Sequence, residues 1–491
     1  MKRQVRMETR QPSVTTSNSD AGSALHSYSA VALRSLLAQK HISALELTDA
    51  YLTRIDQVNP RINAIVTLVP DHARQIARRI DQQIARGQDP GLLAGLPVAH
   101  KDLAETQGIR TTFGSRLFAD NIPKHNALIV QRMLNAGAVT LGKTNTPEFG
   151  AGSQTFNEVF GTTLNPYDLT KTPGGSSGGA AAALAARLVA LADGSDMGGS
   201  LRNPASFCNV VGFRPSPGRV PTYPSDMAWF NVPVVGPMAR TVEDCALFMA
   251  AIAGPDSRVP IALTAPGTDF LEPLKRDFTG ARIGFSPDFA GQIPIAREVS
   301  DVINNSAGVF ESLGCRLDET CPDFTDADYI FKTLRAWSMA AAHGPRLKQH
   351  RDLYKTSLIW NIEQGLALTG ADIATAEQMR TRLFQRVSTL MSEVEFLVLP
   401  VCQVTPFSAA VEYPTDIEGV PMETYIDWMK SCYYLSSIGL PCISVPCGFT
   451  PQGLPVGVQI VGRPQADFSV LQLAYAFQQA TQHWQTLPKL D

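Results

Sequence analysis

Residues 172–202 read TPGGSSGGAAAALAARLVALADGSDMGGSLR, so two turns rich in glycine and serine bracket an alanine-rich segment that predicts a helix over 178–190. Paired glycines let a ligand approach the main chain, and successive N–H groups in such a turn can hold negative charge. One such turn would favour simple tight packing. Two of them, with a candidate base upstream, predict an oxyanion site, where N–H donors stabilise an oxygen that gains charge in a transition state.

The candidate base is Lys101, which follows the apolar segment 96–99. That segment predicts a short strand, so the lysine stands at the end of a buried element. Burial disfavours the charged amine, and a neutral lysine can take a proton from a serine hydroxyl, directly or through a second hydroxyl. A salt bridge to Asp102, or a solvated strand end, is the structural alternative.

Helix and strand signals alternate along most of the chain. Ser43 and Glu46 form a capping-box pattern before a helix that Asn59-Pro60 is expected to end. This alternation predicts an α/β layer structure with helices on both faces of a sheet. Further helices are predicted over 71–86, 127–136, 296–313 and 469–484, and strands over 138–142, 282–285, 396–401, 442–447 and 456–461.

Composition excludes several classes of protein. The chain has 491 residues, with 42 Lys plus Arg against 45 Asp plus Glu, and its net charge of −3 gives no general attraction to nucleic acid. We find no apolar run that would span a bilayer, so no membrane contact is expected. The eight cysteines show neither zinc-site spacing nor the density of a disulfide scaffold, which favours a cytoplasmic location and no metal.

The motif at residues 174–178 also allows a rival interpretation. It fits the G-x-S-x-G nucleophile elbow with Ser176 as the nucleophile, but that elbow needs a strand directly before it. Here a polar loop interrupted by prolines precedes it. A Ser–His–Asp hydrolase also needs a late histidine, and no candidate sits in a recognisable turn: His343, His350, His483.

Two further motifs carry less weight. Residues 137–144 (GAVTLGKT) match the spacing of a P-loop, but a helix rather than a strand precedes them, so ATP is not implied. His100 lies beside Lys101 in sequence, and the alternation of side chains along a strand is expected to send it to the opposite face.

Three segments together resemble the amidase signature family: residues 95–102, 174–179 and 194–221. The resemblance extends over residues 30–485 and implies an α/β fold with a large mixed, mostly parallel, twisted central sheet covered by helices on both faces. It implies a metal-independent amide hydrolase with a Ser–Ser–Lys triad and no cofactor. The family's lysine falls on Lys101, its bridging serine, which follows a cis peptide bond, on Ser176, and its nucleophile on Ser200.

Composition along the chain also suggests a domain organisation. Residues 1–24 are interpreted as a mobile leader, and residues 25–491 as a single amidase domain with the signature core at about 91–250. A more variable helical insert is expected near 325–390. The insert and residues 415–435 offer aromatic side chains for a substrate pocket, although core packing explains them equally well: Phe331, Trp337, Trp360, Tyr425, Trp428, Tyr434.

The family's oxyanion-hole amides fall on Met197, Gly198, Gly199 and Ser200. These four residues make up the end of the second glycine turn, where backbone donors can gather around one oxygen.

Neighbouring residues are expected to support the triad. Asp196 and Arg202 flank the nucleophile turn and are expected to orient it through hydrogen bonds or an ion pair. Ser177 is expected either to hydrogen-bond the triad or to cap the helix that follows. Gly150 and Gln154, in the segment 150–156, are expected to line the acyl pocket, with a surface loop as the alternative.

The resemblance implies that a small neutral carboxylic amide is cleaved to an acid and ammonia or an amine through an acyl-enzyme. The alternative is the A-type glutaminase subunit of a tRNA-dependent amidotransferase, which would need partner chains. Counting back from the Gly-Leu-Pro motif at 439, the family's glutamine-holding aspartate falls on Met429, which cannot pair with an ammonium group. This residue and the extra leader favour a stand-alone bacterial-type amidase.

The expected partner is therefore a small-molecule amide, with neither nucleic acid nor membrane, and a homo-oligomer is left open. A purely structural or binding protein is disfavoured because Lys101, Ser176 and Ser200 are all present.

Overall fold

The structure is a computed structural model that describes residues 25–490. The segment 1–24, which the sequence predicts to be a leader, lies outside the described residues.

One sheet of eleven strands forms the centre of the described chain. Strands such as Phe396–Pro400 and Pro455–Gly462 are buried along their whole length, which agrees with their largely apolar sequences. From one edge to the other, the strands are Ile65–Leu68, Val139–Thr144, Pro97–Lys101, Leu191–Asp196, Val234–Ala239, Val211–Arg214, Cys442–Phe449, Pro455–Gly462, Phe396–Pro400, Arg282–Phe285 and Arg316–Glu319.

The sheet is mixed, as predicted, but it is not mostly parallel. Four neighbouring pairs are parallel and six are antiparallel. Part of the reason is the short link between Cys442–Phe449 and Pro455–Gly462, which pair antiparallel. A connection of five residues can close a hairpin but cannot make the crossover that a parallel pair needs.

Helices cover both faces of this sheet, as predicted. On the strand Pro455–Gly462, Gly457 lies against Ser206 of one helix, whereas Gly462 lies against Val470 of another. An odd spacing along a strand places these two glycines on opposite faces. The helices are Ala30–Ala38, Ala44–Ile62, Pro70–Ala85, Leu128–Asn135, Gly178–Ala185, Arg202–Phe207, Val242–Ile252, Arg297–Asn305, Ala307–Ser312, Ala327–His350, Thr356–Ala367, Gly370–Glu393, Lys430–Ser437 and Asp467–Thr481.

The capping box of Ser43 and Glu46 is present and begins the helix Ala44–Ile62. The sequence suggests that Pro60 ends this helix, but the structure shows that it does not. It lies inside the last turn, and the helix ends at Asn63, which adopts the left-handed conformation (φ 53°).

Two other helix boundaries differ from prediction. The helix predicted over 296–313 is divided at Ser306 into Arg297–Asn305 and Ala307–Ser312. The helix predicted over 178–190 ends at Ala185, because Arg187 takes a positive φ of 61° that a helix does not admit.

Three helices occupy the region where the sequence predicts a helical insert: Ala327–His350, Thr356–Ala367 and Gly370–Glu393. The first of them reaches the central cavity described below. None of the helices between residues 25 and 490 is long and apolar enough to cross a bilayer.

Candidate active site

Lys101 is the last residue of the strand Pro97–Lys101, and its side chain is almost wholly buried. Its Nζ donates hydrogen bonds to Ser176 Oγ (2.8 Å), Ser177 Oγ (2.9 Å) and Ser195 Oγ (3.0 Å). The salt bridge to Asp102 that served as the structural alternative is not formed. Three hydroxyl groups, rather than a carboxylate, therefore surround this amine.

Burial lowers the pKa of Lys101 to about 7, because desolvation penalises the charged amine more than the charges of Asp193 and Asp196 favour it. A large fraction of this amine is therefore neutral near pH 7 and can accept a proton.

His100 takes no part in this cluster, as predicted from strand alternation. Its ring nitrogens contact Asp193 Oδ1 (2.8 Å) and Thr140 Oγ1 (3.0 Å). The other oxygen of Asp193 accepts the backbone N–H of Lys101 (3.3 Å). Asp193 was not identified from the sequence. Among the charged groups, its carboxylate does most to raise the pKa of Lys101.

The peptide bond between Gly175 and Ser176 is cis, as the resemblance implied. Gly150 lies close to the same serine: a Cβ built on Gly150 would stand 2.8 Å from Leu103 Cδ1 and 3.3 Å from Ser176 Oγ. The φ of Gly150 is +69°, a conformation that L side chains rarely adopt. Glycine is therefore required at this position on two grounds.

Ser177 follows the first of its two predicted alternatives. It stands at the N-terminus of the helix Gly178–Ala185, but its side chain makes no capping hydrogen bond. Its Oγ instead accepts hydrogen bonds from Lys101 Nζ and from the backbone N–H of Ser195 (3.4 Å).

Ser200 lines the same cavity as Lys101 and Ser176. Its backbone carbonyl accepts the N–H of Ser177 (3.3 Å), which ties the two glycine turns together. Both serines are among the described residues, and the hydroxyl group of Ser200 forms no hydrogen bond with Ser176. Lys101 is therefore hydrogen-bonded to Ser176, and Ser200 lines the same cavity without a hydrogen bond to either side chain.

The backbone donors of the second glycine turn differ in availability. Within the described chain, the N–H groups of Met197, Gly198 and Ser200 have no protein acceptor. The N–H of Gly199 donates to Asp196 Oδ1 (2.9 Å). This corrects the prediction for Gly199, because its donor is already used to hold the turn.

Asp196 is the centre of a buried ion-pair network that shapes this turn. Arg202 contacts both its carboxylate oxygens (2.9 and 3.0 Å), and Arg214 contacts one of them (3.1 Å). Burial by itself would raise the pKa of Asp196, but the two arginines outweigh it and hold that pKa well below its usual range. The expected Asp196–Arg202 pair is present, and Arg214 is an additional member that the sequence did not reveal.

Gln154 does not line the cavity, which corrects its prediction as a substrate-binding residue. Its side-chain oxygen accepts the Thr172 hydroxyl, and its nitrogen donates to the carbonyl of Ala409 (2.9 Å). Its polar atoms are used to fix loops together, whereas Gly150, four residues earlier, does line the cavity.

Comparison with protein families matches residues 46–471 to the amidase family. The chain belongs to the amidase family. It is 36% identical over 484 residues to the A-type subunit of the glutamyl-tRNA(Gln) amidotransferase of Moorella thermoacetica, covering 93% of this chain and 97% of that protein. It is 35% identical over 463 residues to an acylamidase of Rhodococcus erythropolis, covering 94% and 96% respectively.

Among solved structures, the chain is similar to a bacterial aryl acylamidase of the amidase signature family. The two share 31% sequence identity with a TM-score of 0.89, over 94% of this chain and 98% of the other. The chain is thus an enzyme of the amide hydrolase class.

The amidase cavity encloses about 680 Å³, and the three triad candidates are among its lining residues. Phe331 covers Gly198 so closely that a Cβ on that glycine would meet the ring at 2.8 Å. Met429 also lines the cavity. The other aromatic residues proposed for a pocket do not line it: Trp337, Trp360, Tyr425, Trp428, Tyr434.

The rival motifs find no support in the structure. Lys143 of the P-loop-like segment belongs to the buried strand Val139–Thr144, and its amine donates to Ala104 O and Thr106 Oγ1. His343 lines the cavity but packs on the ring of Phe149, with centroids 4.3 Å apart. No cluster of residues suited to a metal ion occurs within positions 25–490.

Proposed function

We propose that this chain hydrolyses the carbon–nitrogen bond of a small carboxylic amide, with Ser200 as the nucleophile and Ser176 and Lys101 as the proton relay. The observation that carries the proposal is the buried amine of Lys101, which lies 2.8 Å from Ser176 Oγ and has a pKa of about 7. An amine of that pKa can both accept and return a proton near neutral pH.

In the proposed reaction, Ser200 Oγ attacks the amide carbonyl while its proton passes to Ser176, and the proton of Ser176 passes to Lys101. Rotation of the Ser200 side chain when substrate binds brings its hydroxyl to Ser176, since catalytic hydrogen bonds commonly tighten only in the substrate complex. The negative oxygen is held by the N–H groups of Met197, Gly198 and Ser200.

The proton then returns from Lys101 through Ser176 to the leaving nitrogen, which departs as ammonia or an amine. Water enters, gives its proton to the same relay and attacks the acyl-enzyme. The carboxylic acid leaves and Ser200 regains its proton. Each step is either an acyl transfer to or from Ser200 or a proton transfer through Ser176 and Lys101, so the relay needs no cofactor.

The substrate proposed is a free small molecule rather than glutamine bound for transfer to tRNA. Identity does not separate the two, because the relatives of both kinds match at 36% and 35%. Met429 favours the free small molecule. Its thioether lines the cavity at the position where a glutaminase would have a carboxylate to hold the ammonium group of glutamine. A stand-alone enzyme composed of one amidase domain, located in the cytoplasm, remains part of the proposal.

The test is a panel of primary amides, anilides, dipeptide amides and glutamine, scored by released ammonia or amine. The wild-type chain alone should hydrolyse one or more classes, and Ser200→Ala should lower kcat at least a thousandfold. Ser444→Ala is the matched control, because Ser444 is also buried, lies outside the cavity and has a hydroxyl without a partner. Hydrolysis of glutamine that appears only on adding co-purifying chains would favour the amidotransferase assembly instead.

A further inference from the structure

One charged group in the cavity has no counterpart in the proposed reaction. Arg335 lies on the helix Ala327–His350, lines the cavity and is only 5% exposed. One of its terminal nitrogens donates to Tyr425 Oη (3.0 Å), and the other reaches only the thioether sulfur of Met197 (3.4 Å). Its Nε is buried without a partner in the described chain.

Arg335 is also without an opposite charge. An arginine keeps its positive charge in proteins, and a buried charge needs a partner to offset its desolvation. No carboxylate from residues 25–490 forms an ion pair with Arg335. The ring of Tyr425, 5.6 Å from the guanidinium carbon, supplies a cation–π contact but no negative charge.

None of the four carboxylates that line the cavity pairs with Arg335. Asp196 is held by Arg202 and Arg214, Asp193 contacts His100, and Glu105 contacts His125. The fourth, Asp226, forms no ion pair with Arg335 within the described residues. Arg335 is therefore a buried cation that lines the cavity without an opposite charge.

Arg335 stands beside the proposed reaction centre. Its contact with Met197 places the guanidinium next to the second glycine turn. Phe331, one helical turn earlier, covers Gly198 of the same turn. A molecule whose carbonyl oxygen rested on the N–H groups of Met197 and Gly198 would therefore bring its next substituents toward Arg335.

We propose that Arg335 binds a carboxylate on the substrate, so that the preferred substrates are amides that also carry a carboxylate group. This inference rests on the proposed function and refines its substrate class. A carboxylate accepts two N–H donors of a guanidinium side by side, and on the edge formed by the two terminal nitrogens of Arg335 it would replace the weak thioether acceptor. This proposal replaces the expectation of an uncharged substrate. That expectation rested on Met429, which cannot pair with an ammonium group, and it did not consider a negatively charged substrate.

The test compares amides that differ only in this charge. N-phenylsuccinamic and N-phenylglutaramic acids carry the carboxylate on the acyl part, and butyranilide and valeranilide are their matches with a methyl group instead. N-acetyl-4-aminobenzoate and N-acetyl-4-toluidine make the same comparison on the leaving amine. The wild type should favour the charged member at least tenfold in kcat/KM in one of the two series, and that series identifies where the carboxylate lies.

The variant Arg335→Met should lower this charged-to-neutral ratio at least tenfold, whereas Arg335→Lys should keep part of it. A purely structural arginine would change both members equally and leave the ratio unaltered. A wild-type ratio of one or less in both series, or a ratio that Arg335→Met does not change, would overturn the proposal. A wild-type ratio of one or less overturns the proposal even if Arg335→Met fails to fold, and Arg335→Lys then tests the residue itself.

Binding separates this proposal from the proposed function. In the Ser200→Ala variant, calorimetry should show N-phenylglutaramic acid binding at least tenfold more tightly than valeranilide, or N-acetyl-4-aminobenzoate more tightly than N-acetyl-4-toluidine. Preferential binding without turnover by the wild type would leave the Arg335 site intact and reject the proposed hydrolysis. Hydrolysis of neutral amides without any preference would do the opposite.

Discussion

Lys101 Nζ and Ser176 Oγ lie 2.8 Å apart, in a setting where two further hydroxyl groups complete the contacts of the amine. Hydroxyl groups satisfy the N–H donors of lysine without the charge that would fix its proton in place. Burial can then lower the pKa of Lys101 to about 7, which makes this residue suited to accept a proton from Ser176.

The pH dependence of hydrolysis should follow Lys101. Because the amine must be neutral to accept a proton, kcat/KM is expected to fall about tenfold per unit as the pH drops below about 7. Steady-state kinetics from pH 5 to 9 measure this limb. A profile that is flat between pH 5 and 7 would contradict the role given to the amine.

Asp193→Asn should move that limb toward lower pH. The charge of Asp193 raises the pKa of Lys101, so its removal lets burial lower the pKa further. The position of the limb is the measurement, since loss of the His100 contact also affects the absolute rate. A limb that shifts to higher pH would show that the charge acts in some other way.

Asp196→Asn should destabilise the fold by about 3–5 kcal/mol, because it leaves Arg202 and Arg214 buried without their shared carboxylate. Urea or thermal unfolding measures the loss. Asp318→Asn is the matched control, as its ion pair with Arg282 is exposed and should be worth less than about 1 kcal/mol. Equal losses in the two variants would rule out a structural role for the buried network.

Gly150→Ala should reduce kcat at least tenfold, since the added methyl group meets Leu103 and Ser176 in a backbone conformation unsuited to alanine. Gly308→Ala is the control: Gly308 lies in the helix Ala307–Ser312 with open space around it, so alanine should stabilise that helix by about 0.5–1 kcal/mol. Unchanged kcat in Gly150→Ala would remove Gly150 from the site.

Prolonged incubation with a chelator should leave hydrolysis unchanged, because every proposed proton transfer runs between side chains and water. Activity is compared before and after dialysis against the chelator, with added zinc or magnesium as the control. Loss of activity that either ion restores would point to metal-assisted hydrolysis.

Local sequence drew attention to Lys101, which ends a recognisable apolar strand, and to the two glycine turns that contain Ser176 and Ser200. The proposed roles of the two serines came from the resemblance to the amidase signature family. Local sequence also predicted helix boundaries that depend on neighbours in sequence, such as the capping box at Ser43.

Contacts between distant segments could not be predicted in this way. Arg335 reaches the cavity from a helix 138 residues beyond Met197, and nothing in its own neighbourhood distinguishes it from a surface arginine. Arg214 lies only 18 residues from Asp196, but its contact with that carboxylate depends on how two strands of the sheet are placed. Ser177 looked equally like a helix cap because its alternative partner, Lys101, is 76 residues away. The ratio of parallel to antiparallel pairs also depends on which strands meet, and periodicity alone does not determine this.

The identity of the nucleophile is the central claim, and covalent labelling tests it most directly. The wild type is treated with an alkyl fluorophosphonate, digested and analysed by peptide mass spectrometry, beside Ser200→Ala and Ser444→Ala. The proposal predicts one adduct on Ser200, retained in Ser444→Ala and absent from Ser200→Ala. An adduct on Ser176 in the wild type, or unchanged labelling of Ser200→Ala, would contradict it.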